Sequence, residues 1–251
     1  MTVTAVGDTL TLTGRTMRHV LRSPDTIVTT AVTPIFLLLL FVYVMGSAID
    51  VGGADYVDYL LPGIMLITIA SGVGYTSFRL FTDVNEGVVE RFRSMPIARS
   101  AVLWSHVLTS LASTAASVVV VVAVALAMGF RSGAGLLAWL AVSGLLLLFA
   151  LALTWLAVLP GLKASTVDGA SALGYPLVFL PFVSSAFVPT DGMAGPVRWF
   201  AEHQPVTPLI DAVRAMLAEQ PVGDDAWVAA AWGIGLLVVA YVLSTRAYRA
   251  D

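Results

Sequence analysis

The chain has 251 residues, of which 58% are hydrophobic and only 12% are charged. A soluble domain carries about twice that charged fraction, so the composition indicates an integral membrane protein. The net charge of −3 and the lack of a basic tract give no reason to expect a nucleic-acid partner. Because the chain contains no cysteine, it can form neither a disulfide nor a thiolate metal site.

The first 25 residues are polar and contain no apolar core of a cleaved signal peptide. A helix over residues 9–22 would separate three arginines from three apolar residues. These are Arg15, Arg18 and Arg22 on one face and Leu10, Met17 and Leu21 on the other. We therefore predict an amphipathic helix within residues 1–25, lying on the inner leaflet and ending before Ser23-Pro24. The alternative is a frayed polar tail.

Six apolar stretches are each long enough to cross a hydrocarbon core of about 30 Å, which takes roughly 20 helical residues. They cover residues 28–49, 59–80, 101–129, 136–158, 167–188 and 226–244. The runs are continuous rather than alternating with period two, which argues against outer-membrane strands. We expect an all-α membrane protein with a single transmembrane domain over residues 1–251, in which residues 26–251 form a six-helix bundle.

Lysine and arginine residues are distributed unequally between the two sides of these stretches, ten against three. The more basic side contains Arg15, Arg18, Arg22, Arg79, Arg91, Arg93, Arg99, Lys163, Arg246 and Arg249. The other side contains Arg131, Arg198 and Arg214. Since the more basic side of a membrane protein faces the cytoplasm, we expect a multi-pass protein of the cytoplasmic membrane with both termini inside.

The segment over residues 189–225, on the expected outer side, contains five prolines. Within it, Thr207-Pro208 is typical of a helix start, and an apolar face follows. A second short stretch, GPVRWFAEH, places Trp199 and Phe200 at the height of the membrane interface. We expect two short re-entrant helices that dip into the outer leaflet. The alternative is an external loop folded around a small core of its own.

The most polar internal segment, VNEGVVERFRSMPIARS over residues 84–100, joins the second and third apolar stretches. A helix over residues 82–95 would carry one apolar stripe with charged residues beside it. The stripe consists of Val84, Val88, Phe92 and Met95. The acidic residues argue against a lipid surface, because anionic headgroups would repel them. The pattern favours a cytoplasmic helix that fits a groove on a soluble partner; the alternative is that its arginines only set topology.

This segment resembles the cytoplasmic loop of type-2 ABC exporter permeases, where an E-x-G-x-x-E-R-x-R-x-x-P-x-x-R pattern forms a coupling helix; Asn85 stands where many relatives have a charged residue. Its F-R-x-M-P-I-x-R variant resembles the daunorubicin-resistance-type membrane subunits. The block from Gly174 to Leu217, GYPLVFLPFVSSAFVPTDGMAGPVRWFAEHQPVTPLIDAVRAML, is similar to that family's fifth span and external re-entrant helices. The resemblance assigns the ATPase contact to Glu86, Gly87, Glu90, Arg91, Phe92, Arg93 and Pro96.

The resemblance also implies the function, the partners and the cargo. It implies the permease subunit of an ATP-driven exporter, with a second identical or different permease chain and two ATP-binding subunits. Lipids, glycolipids or amphiphilic drugs would be its cargo. The sequence contains no G-x-x-x-x-G-K-[ST] loop, and its one lysine, Lys163, lacks the glycine spacing that cradles phosphates. We therefore expect no ATPase site, cofactor or metal in this chain, with ATP and Mg²⁺ held by the partner subunit.

Two other function classes are weaker alternatives. An ion-gradient-driven secondary transporter of amphiphiles needs ionisable groups near the bilayer centre, but His106 and Asp168 both fall near the cytoplasmic side. Prolines in the second and fifth stretches would agree with broken helices of such a transporter. They are Pro62, Pro176 and Pro181. An intramembrane enzyme is disfavoured because the sequence has no G-x-S-x-G elbow.

The second and fifth stretches are candidates for a cargo surface at an interface between permease chains. They combine glycine, proline and aromatic residues with a few hydroxyl groups, which suits an amphiphile. The candidate residues are Ser71, Tyr75, Tyr175, Phe179, Phe182 and Ser184. Ordinary helix packing is the alternative, because aromatic side chains also fill apolar interfaces between helices.

Overall fold

A computed structural model of the chain describes residues 7, 9, 12–14, 17, 25–46, 49, 55–93 and 99–250. Within these ranges the chain is almost entirely helical and contains no strand, which confirms the predicted all-α class. The predicted interfacial helix in residues 1–25 lies almost entirely outside the described residues. So do Met95 and Pro96 of the polar segment.

Four of the described helices are long and apolar enough to cross a membrane. They are α2 (Tyr56–Asn85), α4 (Arg99–Ala127), α5 (Leu136–Lys163) and α10 (Asp225–Ala250). They correspond to the second, third, fourth and sixth predicted stretches. The first stretch forms the shorter helix α1 (Asp25–Leu40), which continues as a π-helical turn over Phe41–Met45. A total of six spans therefore stays a prediction.

The fifth predicted stretch is not one continuous helix. It is divided into α6 (Val167–Ser171), α7 (Gly174–Phe179) and a 3₁₀ turn over Leu180–Val183. Extended backbone follows at Ser184, with φ −148° and ψ −175°. Pro181 lies at the start of the 3₁₀ turn, where its missing N–H removes a helical hydrogen bond. By contrast, α2 continues through Pro62, so the two stretches do not share the predicted symmetric break.

Helix α2 lies at the centre of the bundle. In its most apolar part 78% of the residues are buried, against 17% in α10. It packs against α1, α4, α5 and the broken fifth stretch. Small residues permit this closeness: a Cβ on Gly63 would lie 2.6 Å from that of Ala186, and one on Gly174 would lie 3.0 Å from the Cα of Gly74. A helix that is apolar all round is expected in such a central position.

The segment after the fifth stretch forms two short helices, α8 (Gly195–His203) and α9 (Val206–Leu217). The apolar face of α9 is fully buried at Leu209, Ile210 and Val213, within the same core cluster as residues of α2. This face therefore packs on the bundle rather than around a core of its own. Trp199 and Phe200 of α8 are exposed; their position at the membrane interface and the re-entrant arrangement of α8 and α9 stay predictions.

Candidate functional site

Helix α2 ends in a sharp turn at the polar segment. Gly87 adopts φ +71°, a left-handed conformation that only glycine adopts without strain and that commonly ends a helix. The N–H groups of Glu86 and Gly87 donate to the carbonyl oxygens of Thr82 and Val84 at 2.9 and 3.1 Å. Helix α3 (Val88–Arg93) then begins after the turn. The prediction of one helix over residues 82–95 is therefore wrong, because Gly87 divides it.

Helix α3 is held to the bundle mainly by Val89. This side chain is only 3% exposed and belongs to a cluster that includes Leu80 of α2 and Leu103 of α4. The predicted stripe differs: Val88 and Phe92 are only half-buried. The break at Gly87 changes the orientation of α3 relative to α2. As a result Val89, rather than Val88 of the predicted stripe, faces the core.

The charged residues of this corner face outward. We call residues 86–93 the α2–α3 corner. Among the seven positions that the family resemblance assigns to the ATPase contact, four are exposed: Glu86, Gly87, Glu90 and Arg91. Arg93 is described by its backbone only. The corner thus offers both signs of charge on a short helix that is fixed from behind by an apolar side chain.

A polar contact ties the end of α2 to α4 beside the corner. Nε2 of His106 lies 3.2 Å from Oδ2 of Asp83, and the histidine is buried. His106 is thus a packed link between two helices near the corner, as its predicted position close to that side of the membrane suggested. Sequence reasoning did not find its partner, since Asp83 lies on a different helix.

The buried cluster that contains Val89 also includes Trp155, which attaches the corner to the other long helices. The ring of Trp155 in α5 makes edge-to-face contacts with Trp104 of α4 at 5.1 Å and with Tyr241 of α10 at 4.8 Å. Trp155 and Val89 belong to one buried cluster. A displacement of α3 would therefore act on three spanning helices through a single packed unit.

The six candidate cargo residues do not form one continuous surface within this chain. Tyr175 and Phe179, one turn apart on α7, are 65% and 63% exposed. Phe182 lies behind Phe179, with ring centres 6.1 Å apart, and stacks on Phe187 at 4.5 Å. Ser184 is fully buried and donates a 2.6 Å hydrogen bond to the carbonyl oxygen of Pro181.

The remaining two candidates lie on α2. The Ser71 hydroxyl donates to the carbonyl oxygen of Ile67 within its own helix, at 2.8 Å. Tyr75 is half-buried next to Gly74, where α2 meets Gly174 almost backbone to backbone. Of the six, only Tyr175 and Phe179 present large side chains to the surroundings.

At the opposite end of the bundle from α3, side chains satisfy the backbone of the broken fifth stretch. The carbonyl oxygen of Ser185 accepts from the Tyr59 hydroxyl at 2.9 Å and from Nη2 of Arg214 at 2.7 Å. That of Phe187 accepts from the Tyr56 hydroxyl at 3.2 Å. Non-helical backbone at membrane depth is tolerated only where the protein itself supplies such partners.

Arg214 of α9 is the centre of this arrangement. Its Nη1 donates to Oδ1 of Asp211 at 2.6 Å, its Nε donates to the carbonyl oxygen of Tyr59 at 3.2 Å, and its guanidinium lies 3.8 Å from the centre of the Tyr59 ring. The Ser185 hydroxyl donates to the same carboxylate oxygen at 2.7 Å. We call Tyr56, Tyr59, Ser185, Asp211 and Arg214 the polar cap.

The charge of Arg214 is stabilised by its partners. Burial lowers the pKa of its guanidinium, and the nearby Tyr59 and Asp211 oppose that shift. An arginine begins from so high a pKa that it stays protonated. Sequence reasoning counted Arg214 only as an outer basic residue, because its partners on α2 and at the break are distant along the chain. Among the described residues, no three His, Asp or Glu side chains are grouped to hold a metal ion.

The chain is similar to known transporter proteins over most of its length. The family model for ABC-2 type transporters matches residues 8–218, a range that includes both the α2–α3 corner and the polar cap. The chain is 28% identical over 250 residues to the daunorubicin resistance ABC transporter permease protein DrrB1 of Streptomyces coeruleorubidus, covering 98% of this chain and 87% of that protein. It is 26% identical over 248 residues to the probable doxorubicin resistance ABC transporter permease protein DrrC of Mycobacterium tuberculosis, covering 97% and 89%.

Proposed function

Because the chain belongs to the ABC-2 type transporter family, we propose that it is the permease subunit of an ATP-driven exporter in the cytoplasmic membrane. Two ATP-binding subunits would supply the energy, and a second permease chain, identical or different, would complete the pathway. Both termini would lie in the cytoplasm. The observation that carries the proposal is the α2–α3 corner, whose charged residues are exposed while Val89 fixes it to the bundle.

The α2–α3 corner has the properties of a contact surface for the ATP-binding subunit. A short helix with acidic and basic groups pointing outward can dock in a protein groove and be oriented by complementary charge. Because Val89 belongs to the cluster that contains Trp155, movement of α3 is transmitted to the packed side chains of α4, α5 and α10. A flexible loop that touched no other helix would absorb such movement instead.

Helix α2 connects this corner to the polar cap. It has 30 residues, which corresponds to a rod of about 45 Å. Its last residues lead into the corner, and its first turn carries Tyr56 and Tyr59. Nucleotide-driven movement at the corner would therefore change how α2 meets the break at Ser185. In this mechanism the polar cap loosens when the pathway opens to the outside.

The proposed cargo is an amphiphilic drug or a lipid. The support comes from relatives whose names include daunorubicin and doxorubicin resistance, and from the apolar side chains that α7 exposes. Tyr175 and Phe179 are proposed to contact the apolar part of the cargo or the second permease chain. ATP and Mg²⁺ would bind only to the partner subunit.

The coupling role is tested with Glu90→Ala and Phe92→Ala, reconstituted with the ATP-binding subunit in vesicles. We expect cargo export to fall at least about ten-fold, the effect of losing about 1.4 kcal/mol of coupling energy, while membrane insertion stays normal. Asp224→Ala is the matched control, since Asp224 is an exposed acidic residue on the opposite side of the bundle. Normal export by both corner variants, or export that follows an ion gradient without ATP, would contradict the proposal.

A further inference from the structure

A cleft lined by hydroxyl groups lies between α1, α2 and α4, on the side of the bundle nearer to α3. We call it the hydroxyl cleft; its polar lining includes Thr30, Tyr75, Thr76, Arg79, Ser110 and Ser113. Its volume is about 10 Å³, which is room for about one water molecule. Three helices contribute hydroxyl-bearing side chains to this space together with an arginine. Thr76 and Ser113 donate their hydroxyl protons to carbonyl oxygens of their own helices, at 2.8 and 2.9 Å.

Among the side chains that the structure describes, none forms an ion pair with Arg79, in contrast to His106, Arg198 and Arg214. The side chain of Arg79 is half-buried, and its guanidinium lies 5.8 Å from the centre of the Tyr75 ring. A partly desolvated cation gains from a counter-charge, which this site leaves to a ligand.

The depth of Arg79 matches the headgroup region of a bilayer. Helix α2 has 30 residues, or about 45 Å of length against about 30 Å of hydrocarbon, so each end projects by roughly 7 Å. Arg79 lies six residues before the end of α2, or about 9 Å along the axis. Its long side chain therefore reaches the level of the lipid phosphates.

The surface beside Arg79 includes an exposed aromatic side chain. Phe78 is exposed next to it, and the ring centres of Phe78 and Tyr75 are 6.5 Å apart. An aromatic surface at this level suits the upper part of an acyl chain. A soluble anion would not need it.

We propose that Arg79, which lines the hydroxyl cleft, binds the phosphate of an anionic phospholipid from the leaflet on the α3 side. The phosphate stays at the mouth of the cleft, because the cleft itself admits only about one water molecule. Arg79 supplies the charge and Ser110 a hydroxyl donor, while the lipid tail lies along Phe78. Basic pockets between spanning helices on the cytoplasmic side are suited to anionic headgroups. The proposal uses the location of the cleft and does not depend on transport activity, so it can fail separately from the proposed function.

The test measures lipid binding to the purified full chain by native mass spectrometry. Phosphatidylglycerol is the anionic probe and phosphatidylcholine, with matched tails, is the zwitterionic one. We expect phosphatidylglycerol to bind at least about five-fold more tightly, and Arg79→Gln to abolish that preference, because a charge-assisted bond to phosphate is lost. Arg79→Lys should keep part of the preference, since an ammonium retains the charge without the planar fork.

Arg246→Gln is the matched control. It removes one exposed positive charge from the same side of the bundle, in the last turns of α10, and should leave the preference unchanged. Ser110→Val keeps Arg79 and fills the cleft, so we expect it to weaken phosphatidylglycerol binding by about two-fold or more. This variant also decides the question if Arg79→Gln does not fold.

Three results would overturn the proposal. The first is equal binding of the two lipids by the unmodified chain. The second is an equal loss of preference in Arg79→Gln and Arg246→Gln, which would show a general effect of positive charge. The third is displacement of phosphatidylglycerol by millimolar inorganic phosphate, which would assign the site to a soluble anion.

Discussion

The two ends of α2 are built in opposite ways. At the α2–α3 corner the charged groups point outward, and one buried valine, Val89, holds α3 in place. At the polar cap the charged and polar groups point inward, and each hydrogen bond joins two parts of the same chain. The corner is therefore suited to binding an external partner, whereas the polar cap holds α2, α9 and the broken fifth stretch together. One continuous helix, α2, connects the two.

The largest expected effect comes from breaking the cap. Arg214→Ala leaves the Asp211 carboxylate and the carbonyl oxygen of Ser185 without their cationic donor. Removing one member of a fully buried ion pair costs about 3 kcal/mol or more in the free energy of unfolding; because Arg214 and Asp211 are 20% and 33% exposed, the cost here should be smaller than that figure but still the largest of the variants. We expect a strong loss of thermal stability in detergent. Arg198→Ala is the control, because Arg198 forms ion pairs on the exposed surface of α8. Equal destabilisation by both variants would contradict the inward-facing role of the cap.

An intermediate effect is expected when the corner is detached. Val89→Ala removes two buried methyl groups, which costs about 1.6 kcal/mol in the free energy of unfolding at about 0.8 kcal/mol each. ATP-driven export should fall more steeply than this stability loss alone predicts, since α3 loses its attachment. Val88→Ala, at a half-buried position on the same helix, should preserve export. Thermal unfolding and export assays on the two variants distinguish the loss of contact between α3 and the bundle from a change in helix propensity. A greater export defect in Val88→Ala than in Val89→Ala would contradict the assigned orientation of α3.

The smallest effect on stability is expected at α7. Tyr175→Ala and Phe179→Ala remove side chains that are 65% and 63% exposed, so little packing is lost. Export should change in its preference among amphiphiles of different width, while the ATPase activity of the partner subunit stays constant. Trp227→Ala is the control, an exposed aromatic residue at the start of α10. Cargo profiles identical to those of the unmodified protein would remove α7 from the pathway.

The long helices and the corner were accessible to sequence reasoning because their signals are local. Length and continuous apolar composition predict a helix such as α5, and the charges around Glu90 identify an exposed segment. The break at Gly87 was also visible as a glycine, but the apolar spacing across it favoured a single helix. The spacing of apolar residues carries no information about the left-handed backbone conformation of Gly87, which ends α2.

The polar cap and the broken fifth stretch could not be predicted in the same way. Apolar composition over residues 167–188 is the same whether the backbone is one helix or three short pieces. The stability of the break depends on donors from Tyr56, Tyr59 and Arg214, which are remote along the chain. The single sequence does not show which distant donor meets which carbonyl group.

The cap has a consequence for the order of assembly during synthesis. The carbonyl oxygen of Ser185 can accept from the Tyr59 hydroxyl as soon as the fifth stretch is made, but its charged donor, Arg214, lies 29 positions further along and leaves the ribosome later. Until then the break has only part of its hydrogen bonding, and each unsatisfied peptide group is costly in hydrocarbon. The fifth stretch should therefore remain beside the insertion machinery until α9 has emerged. In a nascent chain that ends just before Arg214, the fifth stretch should therefore not yet be inserted stably in the bilayer.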